Sequence, residues 1–198
     1  RRGRSHGLLI ENPDGTLEFS PLEVRLIAQL MPTSVRLTGD ACRWETVQSA
    51  LPAADVVHYS GHAYFDTREP LASALVLADR RLTLGEIMAS SDVSASSLVV
   101  LSACETTQVS SMERGDEYAG LPSGFLFAGA PAVIGTLWVV EDVAGPIAMR
   151  ELYRRYVDGA PVGASFAAAI GRLRTITAAE LLSELDPADA DPAAQRLG

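Results

Sequence analysis

The chain has 198 residues, of which 47% are hydrophobic and 21% charged, enough for one globular domain with a full core and unlike a disordered chain. Its net charge is −9 and its 16 basic residues, all arginines, are scattered, which argues against nucleic acid as a partner. No apolar stretch reaches the roughly 20 residues that cross a bilayer, and the opening Arg1-Arg2-Gly3-Arg4-Ser5-His6-Gly7 has no signal-peptide core. A cytoplasmic protein is expected, with no membrane partner. The two cysteines, Cys42 and Cys104, form no C-x-x-C motif, so neither a disulfide framework, a metal site nor a cofactor is expected.

The chain opens on arginine in mid-pattern, which reads as a segment of a longer polypeptide with further modules upstream, and residues 1–16 read as a linker from that region. The first element is a helix over 21–31, with Leu22, Leu26, Ile27 and Leu30 on one face and Pro21 as a favourable first residue. A strand over 34–37 follows, then a helix over 41–51 capped by Asp40 and stopped by Pro52. The first central strand covers 55–60. A short strand over 74–77, a helix capped by Thr83 and running to Ser90, and a second central strand over 98–102 repeat the rhythm. Beyond a polar loop the pattern gives a helix over 118–130, a buried strand over 132–138, and helices over 142–157 and 163–176. The Ala/Asp/Pro-rich stretch from Asp186 to Ala194 has no apolar period, so 177–198 is expected to be a flexible tail, leaving 17–176 as the domain. Strands of near-continuous Val, Ile and Leu followed by helices predict an α/β fold, a mostly parallel sheet with helices on both faces.

Two apolar runs end in reactive side chains. Val56-Val57-His58-Tyr59-Ser60-Gly61 leads to His62, and Leu98-Val99-Val100-Leu101-Ser102-Ala103 leads to Cys104. Open α/β sheets place ligands beyond the carboxyl ends of their strands, and neighbouring strands would bring this imidazole and thiol together there. Cys104 taken alone reads as a core residue, since free cysteine packs well. It is followed by the polar Glu105-Thr106-Thr107-Gln108, however, and strand-end amides would lower its pKa. Cys42, beside Arg43 and Trp44, is assigned to packing. His58, between Val57 and Tyr59, reads as a hydrogen-bonded core residue, whereas His62 follows Gly61, which permits a sharp exit from the strand, and precedes a polar loop.

Four segments carry a resemblance to a known family: His58 to His62, Leu71 to Asp79, Val99 to Thr106, and Gly129 to Asp142. In this order they resemble the CHAT domain, a caspase-like peptidase domain often associated with tetratricopeptide repeats, over about 17–174. The resemblance implies a caspase-haemoglobinase-like three-layer sandwich and a cysteine endopeptidase. His62 would be the general base or acid and Cys104 the nucleophile, acting on a protein or peptide substrate. Helical repeats upstream would be a regulatory partner, and defence or cell-death roles follow by analogy. The backbone N–H groups of Ala63 and Cys104 would hold the oxyanion. Caspase-like enzymes commonly carry glycine after the histidine, and alanine would shape this hole less well if the turn required positive φ. The pocket for the residue before the scissile bond would draw on Ser102, Glu105, Glu141 and Asp142. Its acids would favour arginine or lysine, although Asp142 is equally suited to capping the following helix and Ser102 is neutral. The loop over 109–118 is expected to gate the site. A catalytically weak or inactive scaffold domain is the alternative. No G-x-S-x-G, P-loop or G-x-G-x-x-G occurs.

Overall fold

In the computed structural model of the chain, the described residues are 4–66, 68–90, 92–103, 120–135 and 144–184. Among the described residues five strands form the main sheet: β1 (Gly7–Glu11), β2 (Val35–Thr38), β3 (Val56–Ser60), β7 (Leu98–Ser102) and β8 (Val133–Gly135), in the order β2-β1-β3-β7-β8. Every pairing in it is parallel. All five residues of β1 and of β3 are buried, as strands covered on both faces must be, so both read as apolar runs without alternation.

Side chains that alternate along these strands feed two cores on opposite faces. Leu8, Ile10, Val57, Tyr59, Val99 and Leu101 pack against α2 (Trp44–Ala50), α3 (Leu84–Ser90) and α4 (Leu121–Phe127), through residues such as Val47, Ile87 and Phe125. Leu9, Val56, Leu98 and Val100 pack against α1 (Ser20–Leu30), α5 (Ala144–Val157) and α6 (Val162–Thr175), through Val24, Ile27, Leu152 and Tyr156. The result is the helix–sheet–helix sandwich expected of a caspase-like domain. A short helix, α7 (Ala178–Glu184), follows α6.

A second, antiparallel sheet is made from β4 (Ala63–Tyr64), β5 (Ala74–Val76) and β6 (Arg81–Thr83) in that order. It grows out of the end of β3, so the predicted strand over 74–77 belongs to this small sheet rather than to the main one. The predicted cap at Thr83 is present as a reciprocal pair. Thr83 N–H and Oγ1 donate to the Glu86 carboxylate while Glu86 N–H donates to Thr83 Oγ1, and these bonds hold the Glu86 carboxyl down at about 2.

Three local expectations change. Residues 7–11, inside the segment read as a linker, form β1, the strand between β2 and β3; their apolar run is short and directly follows a basic stretch, which masked it. Residues 39–41 form a tight 3₁₀ turn, so α2 begins at Trp44 and Asp40 does not cap it. The helix predicted over 118–130 is described over Leu121–Phe127, with Pro122 in its first turn and Gly129 at φ 104 beyond its end.

Candidate active site

The order β2-β1-β3 reverses direction at β1. The chain leaves β1 through α1 on one face and returns to β3 through α2 on the other. The carboxyl ends of β1 and β3 therefore diverge into the crevice that open α/β sheets use for ligands. His62 lies there. Ser60 pairs with Ser102 across β3 and β7, and Gly61 N–H continues the ladder to Ser102 O at 3.3 Å. His62 and Cys104 are thus each two residues beyond a matched pair of strand ends, although Cys104 itself lies outside the described residues.

His62 is the joint between the two sheets, and its backbone is fixed from two directions. Its carbonyl accepts from Val76 N–H at 2.9 Å, an extension of the β4–β5 ladder, and the Tyr59 hydroxyl lies 2.6 Å away. That hydroxyl also lies 2.7 Å from Val76 O, so its one proton is shared between the two carbonyls, and it accepts from Val76 N–H at 3.1 Å; burial pushes the phenol well above its ordinary range, so it stays protonated as a donor. Gly61 makes the arrangement possible. A Cβ there would fall 2.5 Å from the Tyr59 hydroxyl, so glycine is required by close approach of the ring; its φ is not positive.

Ala63 pairs with Leu75 in a register where Val76 N–H bonds His62 O. This is the wide pair of an antiparallel ladder, and it turns the Ala63 N–H away from β5. Among the described residues only Asn12 combines positive φ with a side chain, so Ala63 carries none of the strain that a glycine-requiring turn would impose.

The imidazole is reached by a loop that sequence reasoning passed over. After β1, Asn12 at φ 42 and Gly15 at φ 73 reverse the chain. The Asn12 side chain both accepts from Leu17 N–H at 3.0 Å and donates to Leu17 O at 2.8 Å, while Asn12 N–H anchors the loop to Ser60 O at 2.7 Å. Held this way, Thr16 Oγ1 lies 2.8 Å from His62 Nε2 and donates to Asp14 Oδ1 at 3.0 Å, and Asp14 Oδ2 is 3.9 Å from the same nitrogen. The signal for this loop was Leu8-Leu9-Ile10 followed by Asn12-Pro13-Asp14-Gly15, a strand running into strong turn residues.

His58 is at 0% exposure, inside the sheet as expected. Its Nε2 meets Glu23 Oε1 at 2.8 Å and its Nδ1 meets the Tyr153 hydroxyl at 3.1 Å, with the two rings edge to face. Both nitrogens are committed to structure. Cys42, also fully buried, points its thiol at Glu11 O at 3.6 Å, and burial pushes that thiol up to about 11. Of the expected pocket residues, Ser102 closes β7 and faces the start of α5, where a Cβ on Gly145 would lie 3.9 Å from its hydroxyl. Glu105, Glu141 and Asp142, and the 109–118 loop expected to gate the site, lie outside the described residues. Among the described residues no cluster of three or more His, Cys, Asp or Glu could hold a metal ion, and no helix is long and apolar enough to cross a membrane.

The CHAT domain family model matches residues 1–181. The chain belongs to the CHAT domain family. Membership relates it to the caspase-like peptidases, and the match begins early enough to include β1 and the loop that meets His62. A comparison of this CHAT domain with curated proteins finds no match.

Proposed function

We propose that this CHAT domain is a cysteine endopeptidase in which His62 and Cys104 form the catalytic dyad. The observation that supports the reading is the parallel register of β3 and β7, which matches Ser60 to Ser102, the residues two before His62 and Cys104 in the sequence. In the reaction, the His62 imidazole takes the proton from Cys104 Sγ, and the thiolate attacks the peptide carbonyl carbon. The resulting oxyanion is held by the N–H groups of Ala63 and Cys104, each such donor being worth about a hundred- to a thousandfold in turnover. Imidazolium then protonates the leaving amine, and water, deprotonated by His62, hydrolyses the thioester. Negative φ at the wide-pair position of Ala63 supports its use as a donor. Ser102, Glu105, Glu141 and Asp142 would line the pocket for the residue before the cut and favour a basic side chain. The substrate is a protein or peptide, and helical repeats upstream in the full-length chain would regulate access.

The test is cleavage of a diverse peptide library by the longest available chain, with Cys104→Ala and His62→Ala as controls. Loss of cleavage in both variants, with arginine or lysine enriched before the cut, is the expected result. A folded full-length protein that cleaves nothing would leave the scaffold alternative.

A further inference from the structure

The loop after β1 gives His62 more than a neighbour. Thr16 has one hydroxyl proton and stands between two groups: Asp14 Oδ1 at 3.0 Å and His62 Nε2 at 2.8 Å. An ionised carboxylate only accepts, so the Thr16 O–H donates to Asp14. Both short contacts are then hydrogen bonds only if His62 Nε2 carries a proton and donates it to Thr16 Oγ1. The chain of donors runs from His62 Nε2–H to the Thr16 hydroxyl to the Asp14 carboxylate, and it leaves the lone pair of neutral His62 on Nδ1. When the ring gains a second proton, the Asp14 charge lies 3.9 Å from Nε2, on the side opposite the new proton.

We propose that Asp14 and Thr16 are positioning residues for His62: they fix its ring orientation and its Nε2–H tautomer, so that Nδ1 is the atom that exchanges protons with the nucleophile. The catalytic meaning rests on the peptidase reading above, whereas the tautomer does not. The loop is built for the task, since Asn12 ties it to Leu17 on one side and to β3 on the other, while Asp14, Gly15 and Thr16 are exposed and carry no core packing.

The experiment uses the longest available chain labelled with ¹⁵N in its histidine rings, with His62 assigned through His62→Gln. In neutral His62 the wild type should show the Nε2–H tautomer alone. Thr16→Val should relax it towards the mixture of free histidine, and Thr16→Ser should restore it. An Nδ1–H tautomer in the wild type, or ring signals unmoved by Thr16→Val, would overturn the assignment. In parallel, kcat should fall about tenfold in Thr16→Val and Asp14→Asn with KM unchanged, below the about 10²–10⁴-fold carried by the base itself, and Thr16→Ser should recover it. Ring signals that move while kcat stays constant would overturn the positioning role. If the wild type cleaves nothing, the peptidase reading falls and the ring signals alone decide the tautomer.

Discussion

His58 and His62 are four residues apart on one stretch of chain, and each is matched with one carboxylate and one hydroxyl: Glu23 and Tyr153 for the first, Asp14 and Thr16 for the second. What separates them is solvent and the number of committed nitrogens. The His58 ring is wholly buried with both nitrogens bonded, joining α1, β3 and α5. The His62 side chain is 41% exposed, and among the described residues only its Nε2 has a partner. A buried carboxylate–imidazole pair is costly to break, because the remaining partner stays desolvated, whereas an exposed one contributes at most about 1 kcal/mol. The same chemical trio is therefore a structural rivet in one place and, in the other, a solvent-facing imidazole whose Nδ1 has no partner among the described residues.

The sharpest way to break this contrast is to exchange the losses. His62→Ala should lower cleavage about a thousandfold or more, because a dyad stripped of one member loses its nucleophile activation, while its melting temperature stays within a few degrees of the wild type. His58→Ala should do the reverse. Leaving Glu23 buried and unpartnered should cost about 3–5 kcal/mol, a fall of roughly 6–20 °C for a chain of this size, read by calorimetry. Equal melting temperatures for the two variants would erase the distinction between the two histidines.

A smaller effect tests how the His62 backbone is held. Gly61→Ala places a Cβ against the Tyr59 phenol and should cost about 1–3 kcal/mol, with a lower kcat as the carbonyl grip loosens. The two cysteines give a parallel contrast with almost no energetic cost. Burial holds the Cys42 thiol protonated up to about 11, so a thiol-reactive probe at pH 8 should label Cys104 and spare Cys42, as checked by mass spectrometry. The folded chain keeps that proton more tightly than an unfolded thiol with its ordinary value of 9.0, so the stabilisation is present below pH 9 and is lost as pH rises towards 11.

The strands that bury both faces announce themselves as unbroken Val/Leu runs, and β3, β7 and the helices that amphipathic spacing marks, α1 and α6, were legible on that basis. So was the different placement of His58 and His62, the one buried between core residues and the other exposed beyond a strand end. β1 was not, because Gly7-Leu8-Leu9-Ile10 is too short to distinguish from a linker without its neighbours, and only pairing with β2 and β3 gives it a place. With β1 went Asp14 and Thr16. Polar residues in a turn have many possible roles, and their meeting with His62, 46 residues on from Thr16, depends on a tertiary contact that no local pattern contains. The tyrosine grip on His62 was hidden similarly, since Tyr59 reads as an ordinary core aromatic until its hydroxyl is traced.

The parallel sheet also sets an order in time. Gly7 pairs with Val56, and Val56 with Leu98, so each central ladder waits for a distant strand, whereas β5 and β6 meet across a short turn. Local hairpins close in about 1–10 μs and sheets of non-local pairing in about milliseconds to seconds. On a ribosome adding about 5–20 residues each second, β7 arrives seconds after β3. The strand that carries His62 is therefore synthesised well before β7, and a nascent chain passes through a long interval in which the proposed base would have no nucleophile to serve.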